Sequence, residues 1–259
     1  MEATPSKPVA GRKRGATQHW GLNAVERRST TEDVLAQLRA AIVTGRIGPL
    51  EPLREVALAE TLGTGRSAIR EAIRHLIQEG LVEYRLNRGC YVRTLSVDDS
   101  NDVYLAREAI ETKALERALE CGESLDLEPL RAAFERIALA ARATADDDTP
   151  GLDLIGADLD FHRELVRLGG SPRLTRAHET LAAEAQMLLL HQPVYPPTDY
   201  AADHRVLLDA IERRDPEAPA RVREHLRLSA TLIAGELERL SQAAIDTEER
   251  SRSDGGTTA

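Results

Sequence analysis

The chain has 259 residues, with 34 Lys and Arg against 43 Asp and Glu, a formal net charge of -9, and only one Trp, five Tyr and two Phe; at roughly 150 residues per domain this gives one large or two ordinary domains with a real core. With 42% hydrophobic and 30% charged residues it is expected to be globular. The absence of an apolar run near 18 residues argues against a membrane span, and the basic N-terminus lacks the apolar core of a secretory signal. Cys90 and Cys121 form no CxxC, so neither a disulfide framework nor a zinc ribbon is expected, and a reduced, cytoplasmic setting fits.

In chain order, residues 1–28 are rich in Lys, Arg, Gly, Pro and Ala without periodicity and are expected to form a disordered basic arm. A helix starts at Ser29 to Thr31, with Val34, Leu38, Ala41 and Ile42 at helical spacing, and stops at Gly45. A short helix over about 54–62 places Val56, Ala59 and Leu62 on one side, and Gly63 to Gly65 turn the chain. The third helix, about 66–79, is expected to bury Ile69, Ile73, Leu76 and Ile77 before Gly80 ends it. Two β-prone runs, 81–85 and 90–94, flank Leu86, Asn87, Arg88 and Gly89 as a hairpin. From Ser96 onward the pattern is helical: about 98–121, opened by the capping pair Ser96 and Asp99, then 125–144, 152–169, 172–191, 199–213 and 217–242. Long helices with short connections predict an antiparallel bundle, and a disordered tail is expected over 243–259.

The charge divides along the same line. Residues 1–95 carry 15 Lys and Arg against 10 Asp and Glu, whereas residues 96–259 carry 19 against 33. The acidic total therefore does not exclude a polyanion as partner of the first part. Three helices, a Gly turn and a hairpin over 29–95 describe a winged helix-turn-helix, whose third helix enters the major groove of double-stranded DNA. Arg66, Ser67, Arg70 and Arg74 lie along that helix, where an arginine can pair with guanine O6 and N7. Arg88 stands at the hairpin tip, within reach of an adjacent groove or phosphate. The basic stripe adjoins the apolar stripe, so some of these arginines can also lie against the scaffold.

The part over 96–242 carries a second constellation. Asp158 and His162 share a helix face four residues apart, and His162, His204 and His225 each stand at a core position of a different helix. A buried carboxylate costs several kcal/mol without a partner, and a divalent cation supplies one. Asp with three His suits Zn, Ni, Mn or Fe without choosing among them.

The stretch Leu53 to Ser96 resembles the DNA-binding domain of the GntR family of bacterial transcription regulators, through Arg66, Arg70, Glu71, Ala72, the EGL at Glu79 to Leu81 and the NRG at Asn87 to Gly89. It departs from that pattern at Gly65, where Ser is usual, at Ala68, where Pro is usual, and at 48–52. The segments Asp158 to Leu174, Asp203 to Asp215 and Glu224 to Ser229 are similar to the all-helical FCD effector domain of the FadR-like subgroup. The resemblance implies Asp158, His162, His204 and His225 as metal ligands. Arg107 and Ser171 are its candidate effector contacts, although Ser171 replaces the usual Asn and Arg107 can instead pair with Glu111. The protein implied is a mainly α homodimer that binds a palindromic operator and responds to a small organic acid, without a membrane. Two other readings are a metal-dependent hydrolase with an appended DNA-binding module, using Glu164 or Asp160 as base, and a constitutive DNA-binding protein whose helical half only dimerises.

Overall fold

The computed structural model describes residues 30–121, 125–143, 151–190 and 197–254. Its first part comprises α1 (Thr30–Val43), α2 (Glu55–Thr61), α3 (Arg66–Gln78), β1 (Val82–Arg85) and β2 (Gly89–Val92). The second comprises α4 (Val97–Glu120), α5 (Glu128–Ala143), α6 (Leu152–Leu168), α7 (Pro172–Leu189), α8 (Pro197–Glu212) and α9 (Ala218–Asp254). The expected basic arm lies outside the described residues. The tail is a correction: α9 continues to Asp254, so the segment expected to be disordered from 243 is helical over most of its length. Its polar composition hid the helix, since nothing in it marks a buried face.

In the first part α1 packs across α3, burying Val34, Leu38 and Ile42 against Ile69, Ala72, Ile73 and Leu76. Two expected core residues face outward instead: Val56 is 51% exposed and Ile77 is 36% exposed. Ile77 lies about 80° around the helix from Ile69, outside the stripe that α1 covers. β1 and β2 pair antiparallel in the register Val82 with Val92 and Arg85 with Gly89. The hairpin turn places Asn87 at φ 60° and Gly89 at φ 97°, which Asn and Gly tolerate best.

Ser96 and Asp99 form a capping box at the start of α4, with Ser96 N donating to Asp99 Oδ2 at 2.9 Å and Asp99 N donating to Ser96 Oγ at 3.1 Å. α4 runs through the middle of the bundle against α6, α7 and α9, while α5 packs on α6 and α8. Arg93, just after β2, joins the two parts: its guanidinium donates to Asp99 on α4 and, at 2.7 Å, to Glu184 on α7.

Candidate functional site

The bundle encloses a polar centre built by five helices. Asp158 and His162 come from α6, His204 from α8 and His225 from α9, and one donor atom from each lies within 4.8 Å of all the others. Asp158, His162 and His204 are buried and His225 is half-buried. The rings pack on one another, His162 against His225 at 5.3 Å and His204 against His225 at 4.8 Å between centroids, and Tyr200 stacks on His204.

The surrounding contacts fix which nitrogens face the centre. His162 Nδ1 lies 2.6 Å from Glu111 Oε2, and His204 Nδ1 lies 2.8 Å from the Tyr200 carbonyl. Both acceptors call for N–H on Nδ1, so in the neutral ring each Nε2 is the nitrogen that carries the lone pair, and it is the one turned toward Asp158. His204 Nε2 is 2.9 Å from Asp158 Oδ1 yet makes no aligned hydrogen bond. Such an arrangement, with each imidazole held from behind by a carbonyl or carboxylate, is the outer support typical of metal-ligating histidines.

The electrostatics agree. Burial, outweighing Glu111, moves His162 below its ordinary pKa, and burial with the neighbouring imidazoles of His204 and His162 takes His225 well below it. Burial alone would raise Asp158, but His162, His204 and Arg107 hold it well below the usual carboxylate range. An ionised carboxylate beside imidazoles whose charged form burial disfavours, as at His162 and His225, suits the binding of a cation. The donor set therefore fits a divalent metal ion.

Sequence reasoning missed the support behind these ligands. Glu111, on α4, accepts from Arg107 Nε at 2.9 Å and reaches His162 and His178, the last at 3.1 Å. Burial would push Glu111 up, yet His162 and Arg107 take it well below the carboxylate range. The signal for His178 was present: it precedes the buried Ala185 by seven residues on α7, two helical turns. Arg107 forms the ion pair with Glu111, and its Nη2 has no aligned hydrogen-bond partner among the described residues. Ser171 is not brought to the centre. Its hydroxyl caps α7 by accepting from Leu174 N at 3.4 Å, and it borders a surface groove with Arg167, Thr175 and Glu179. Ser171 lies seven residues, roughly 10 Å of helix, before His178 on α7. Asp160 and Glu164 are likewise engaged elsewhere, with Arg136 and Arg167 at 2.9 Å each.

On the first part, Arg66, Ser67, Arg70 and Arg74 all stand exposed on α3, and Arg88 is exposed at the hairpin tip. Gly65 caps α3 without any side-chain hydrogen bond. Glu55 on α2 accepts from Arg70 Nη2 at 3.1 Å and lies 3.9 Å from Arg66, and Glu71 pairs with Arg74. The arginines thus lean on acidic neighbours without being buried by them.

An exposed arginine row on the third helix of a winged head, carried by a helical body, defines a DNA-binding transcriptional regulator. The chain matches the bacterial regulatory proteins of the gntR family over residues 30–92 and the FCD domain over residues 102–246. It is 33% identical over 201 residues to a probable D-xylose utilization operon transcriptional repressor of Paenarthrobacter nicotinovorans, covering 76% of this chain and 86% of that one. It is 26% identical to the transcriptional repressor RspR of Escherichia coli, covering 73% and 82%. A putative GntR regulator from Rhodococcus sp. RHA1 superposes with a TM-score of 0.67 at 25% identity, over 79% of this chain and 97% of that one. The protein belongs to the GntR family of transcriptional regulators and carries an FCD domain. Its relatives regulate transcription, which removes the hydrolase reading. No helix among the described residues is long and apolar enough to cross a membrane.

Proposed function

We propose that this regulator is a cytoplasmic, ligand-responsive repressor of the FadR-like subgroup. Its head, residues 29–95, reads DNA, and its body, 96–242, dimerises and binds the effector. Two copies grip a palindromic operator through Arg66, Ser67, Arg70, Arg74 and Arg88. Asp158, His162, His204 and His225 hold a divalent cation, one of Zn, Ni, Mn or Fe, and a small carboxylate binds at or near it beside Arg107. The observation that carries this reading is the convergence of one carboxylate and three imidazoles within 4.8 Å of one another, with the outer nitrogens of His162 and His204 engaged so that lone pairs face inward. Repression is favoured because two of its relatives bear that description. A cation there would bind a carboxylate oxygen directly. The effector alters operator affinity only if it binds one arrangement of the heads better than the other.

Elemental analysis of the wild type and His204→Ala tests the centre; equal, near-zero metal in both removes it. Operator titrations test the head. Arg66→Ala and Arg70→Ala should each weaken operator binding about tenfold, and log affinity should fall steeply with log salt concentration. Unchanged specific binding in both variants removes α3 as the reading helix.

A further inference from the structure

Two exposed arginines of α3 share a single carboxylate that comes from another helix. Glu55 opens α2, and its side chain reaches across to α3: Oε2 accepts from Arg70 Nη2 at 3.1 Å, Oε1 accepts from Arg70 Nε at 3.3 Å, and Arg66 Nη2 lies 3.9 Å away. The backbone that carries Glu55 is firmly held. Leu53 N donates to the Cys90 carbonyl at 2.8 Å, Val92 N donates to the Glu51 carbonyl at 3.0 Å, and Pro52 bridges to Tyr91. Beyond this tie to the wing, α2 packs on α3 with Ala59 buried. Glu55 is therefore fixed with respect to both α3 and the hairpin. Glu71, by contrast, pairs with Arg74 from within α3 itself.

Folding stability does not account for this arrangement. The side chains of Arg66 and Arg70 are 62% and 51% exposed, and ion pairs so open to water contribute little. For plain attraction to DNA the carboxylate is unfavourable, because it adds a negative charge to the row that faces phosphates. What a fixed carboxylate supplies is direction. An unpaired arginine on a helix surface samples many rotamers. A phosphate accepts a hydrogen bond from almost any of them, whereas guanine O6 and N7 accept the guanidinium only as an in-plane fork. Glu55 engages the Nε–Nη2 edge of Arg70, which leaves the Nη1–Nη2 edge as the one that can meet a base. Its charge also opposes any phosphate that approaches the row out of register.

We infer that Glu55 is a positioning residue for base reading: it aligns Arg70, and with it Arg66, toward guanine and weakens the hold of the head on phosphate alone, so that sequence discrimination rises while raw affinity falls. This rests on the proposed role of α3 as the reading helix. The test uses the full chain and two duplexes of equal length, one selected by the wild type from a randomised library and one of mixed sequence. Each is titrated over a salt series with wild type, Glu55→Gln and Glu60→Gln. Glu60 is an exposed carboxylate of the same helix, about 140° around it from Glu55, and controls for charge alone. Glu55→Gln should bind the mixed duplex about threefold more tightly, with a salt slope steeper by about one as a freed arginine reaches a further phosphate. It should bind the selected duplex about threefold more weakly, so that the preference between the two falls about tenfold. Glu60→Gln should keep the wild-type preference, and the melting temperature of Glu55→Gln should stay within about 4 °C of the wild type. An unchanged preference in Glu55→Gln overturns the inference. So does an equal fall in Glu60→Gln, which makes bare charge the cause, or a Glu55→Gln melting temperature far below the wild type, which makes the pair structural. A wild type that selects no sequence, or a selected duplex still bound equally by Arg66→Ala and Arg70→Ala, overturns the reading helix itself, and those two controls identify that outcome.

Discussion

Glu111 ties the buried centre together from behind, since its carboxylate meets Arg107, His162 and His178 at once. Glu111→Gln keeps the side-chain shape but leaves the Arg107 guanidinium uncompensated in the interior. It should destabilise the protein by about 3–5 kcal/mol, the usual result of breaking a buried ion pair from one side, and lower metal affinity about 10- to 100-fold by loosening His162. Denaturant titration and chelator competition measure the two effects; a variant with the wild-type midpoint and wild-type metal retention refutes this role. The four candidate ligands were legible in the sequence because each His interrupts an apolar stripe and Asp158 stands four residues before His162. Arg107 reads equally well as an effector contact and as the partner of Glu111 in an internal ion pair at i, i+4. Only the packing of α6 and α7 over that face of α4 turns them into a buried support.

At the scale of elements, the helix and hairpin bounds follow local signals closely, as the capping box at Ser96 and the positive φ of Asn87 and Gly89 illustrate. What local signals do not convey is which side of a short helix a neighbour will cover, hence the outward Val56 and Ile77. Gly169 shows the same limit. It reads as a helix stop, yet a Cβ there would come within 2.7 Å of the Ala114 carbonyl oxygen and 2.9 Å of the Ala114 Cα. The contact is backbone against backbone, so α6 and α4 cannot yield without separating. Gly169→Ala should therefore cost about 1–3 kcal/mol, as overpacking does, whereas Gly156→Ala, with open space around it, should be neutral or slightly stabilising through helix propensity. Thermal melts of the two variants compare them directly, and equal melting temperatures would rule out the close approach.

For the whole molecule, the net charge of -9 conceals a division in which residues 1–95, arm and head together, carry 15 Lys and Arg against 10 Asp and Glu while the body is acidic, a separation that suits DNA contact confined to the first part. The same body makes stability depend on pH. His162 and His225 have folded pKa values below the ordinary 6.5, so the unfolded chain takes up protons first as pH falls. Stability of the metal-free protein is then fully present above about pH 6.5 and declines below it. A second loss follows in the acid range as Asp158 and Glu111, held below their ordinary 3.8 and 4.5, lose their charges. Urea midpoints measured on chelator-treated protein between pH 8 and 5 should fall monotonically; a midpoint that rises toward pH 5 contradicts a neutral imidazole cluster.

Residue periodicity, caps and turn residues by themselves determined a winged head followed by a helical body, because those signals act within a few residues of chain. They also marked the arginine row and the four inward Asp and His, since a polar residue at a core spacing is visible without a structure. Tertiary structure alone decided that donor atoms of these four converge within 4.8 Å, that Ser171 caps a helix away from them, and that the Arg107–Glu111 pair is buried behind them. Convergence and burial depend on which helices meet, and that is set by long-range packing between residues far apart in the chain, about which local periodicity says nothing.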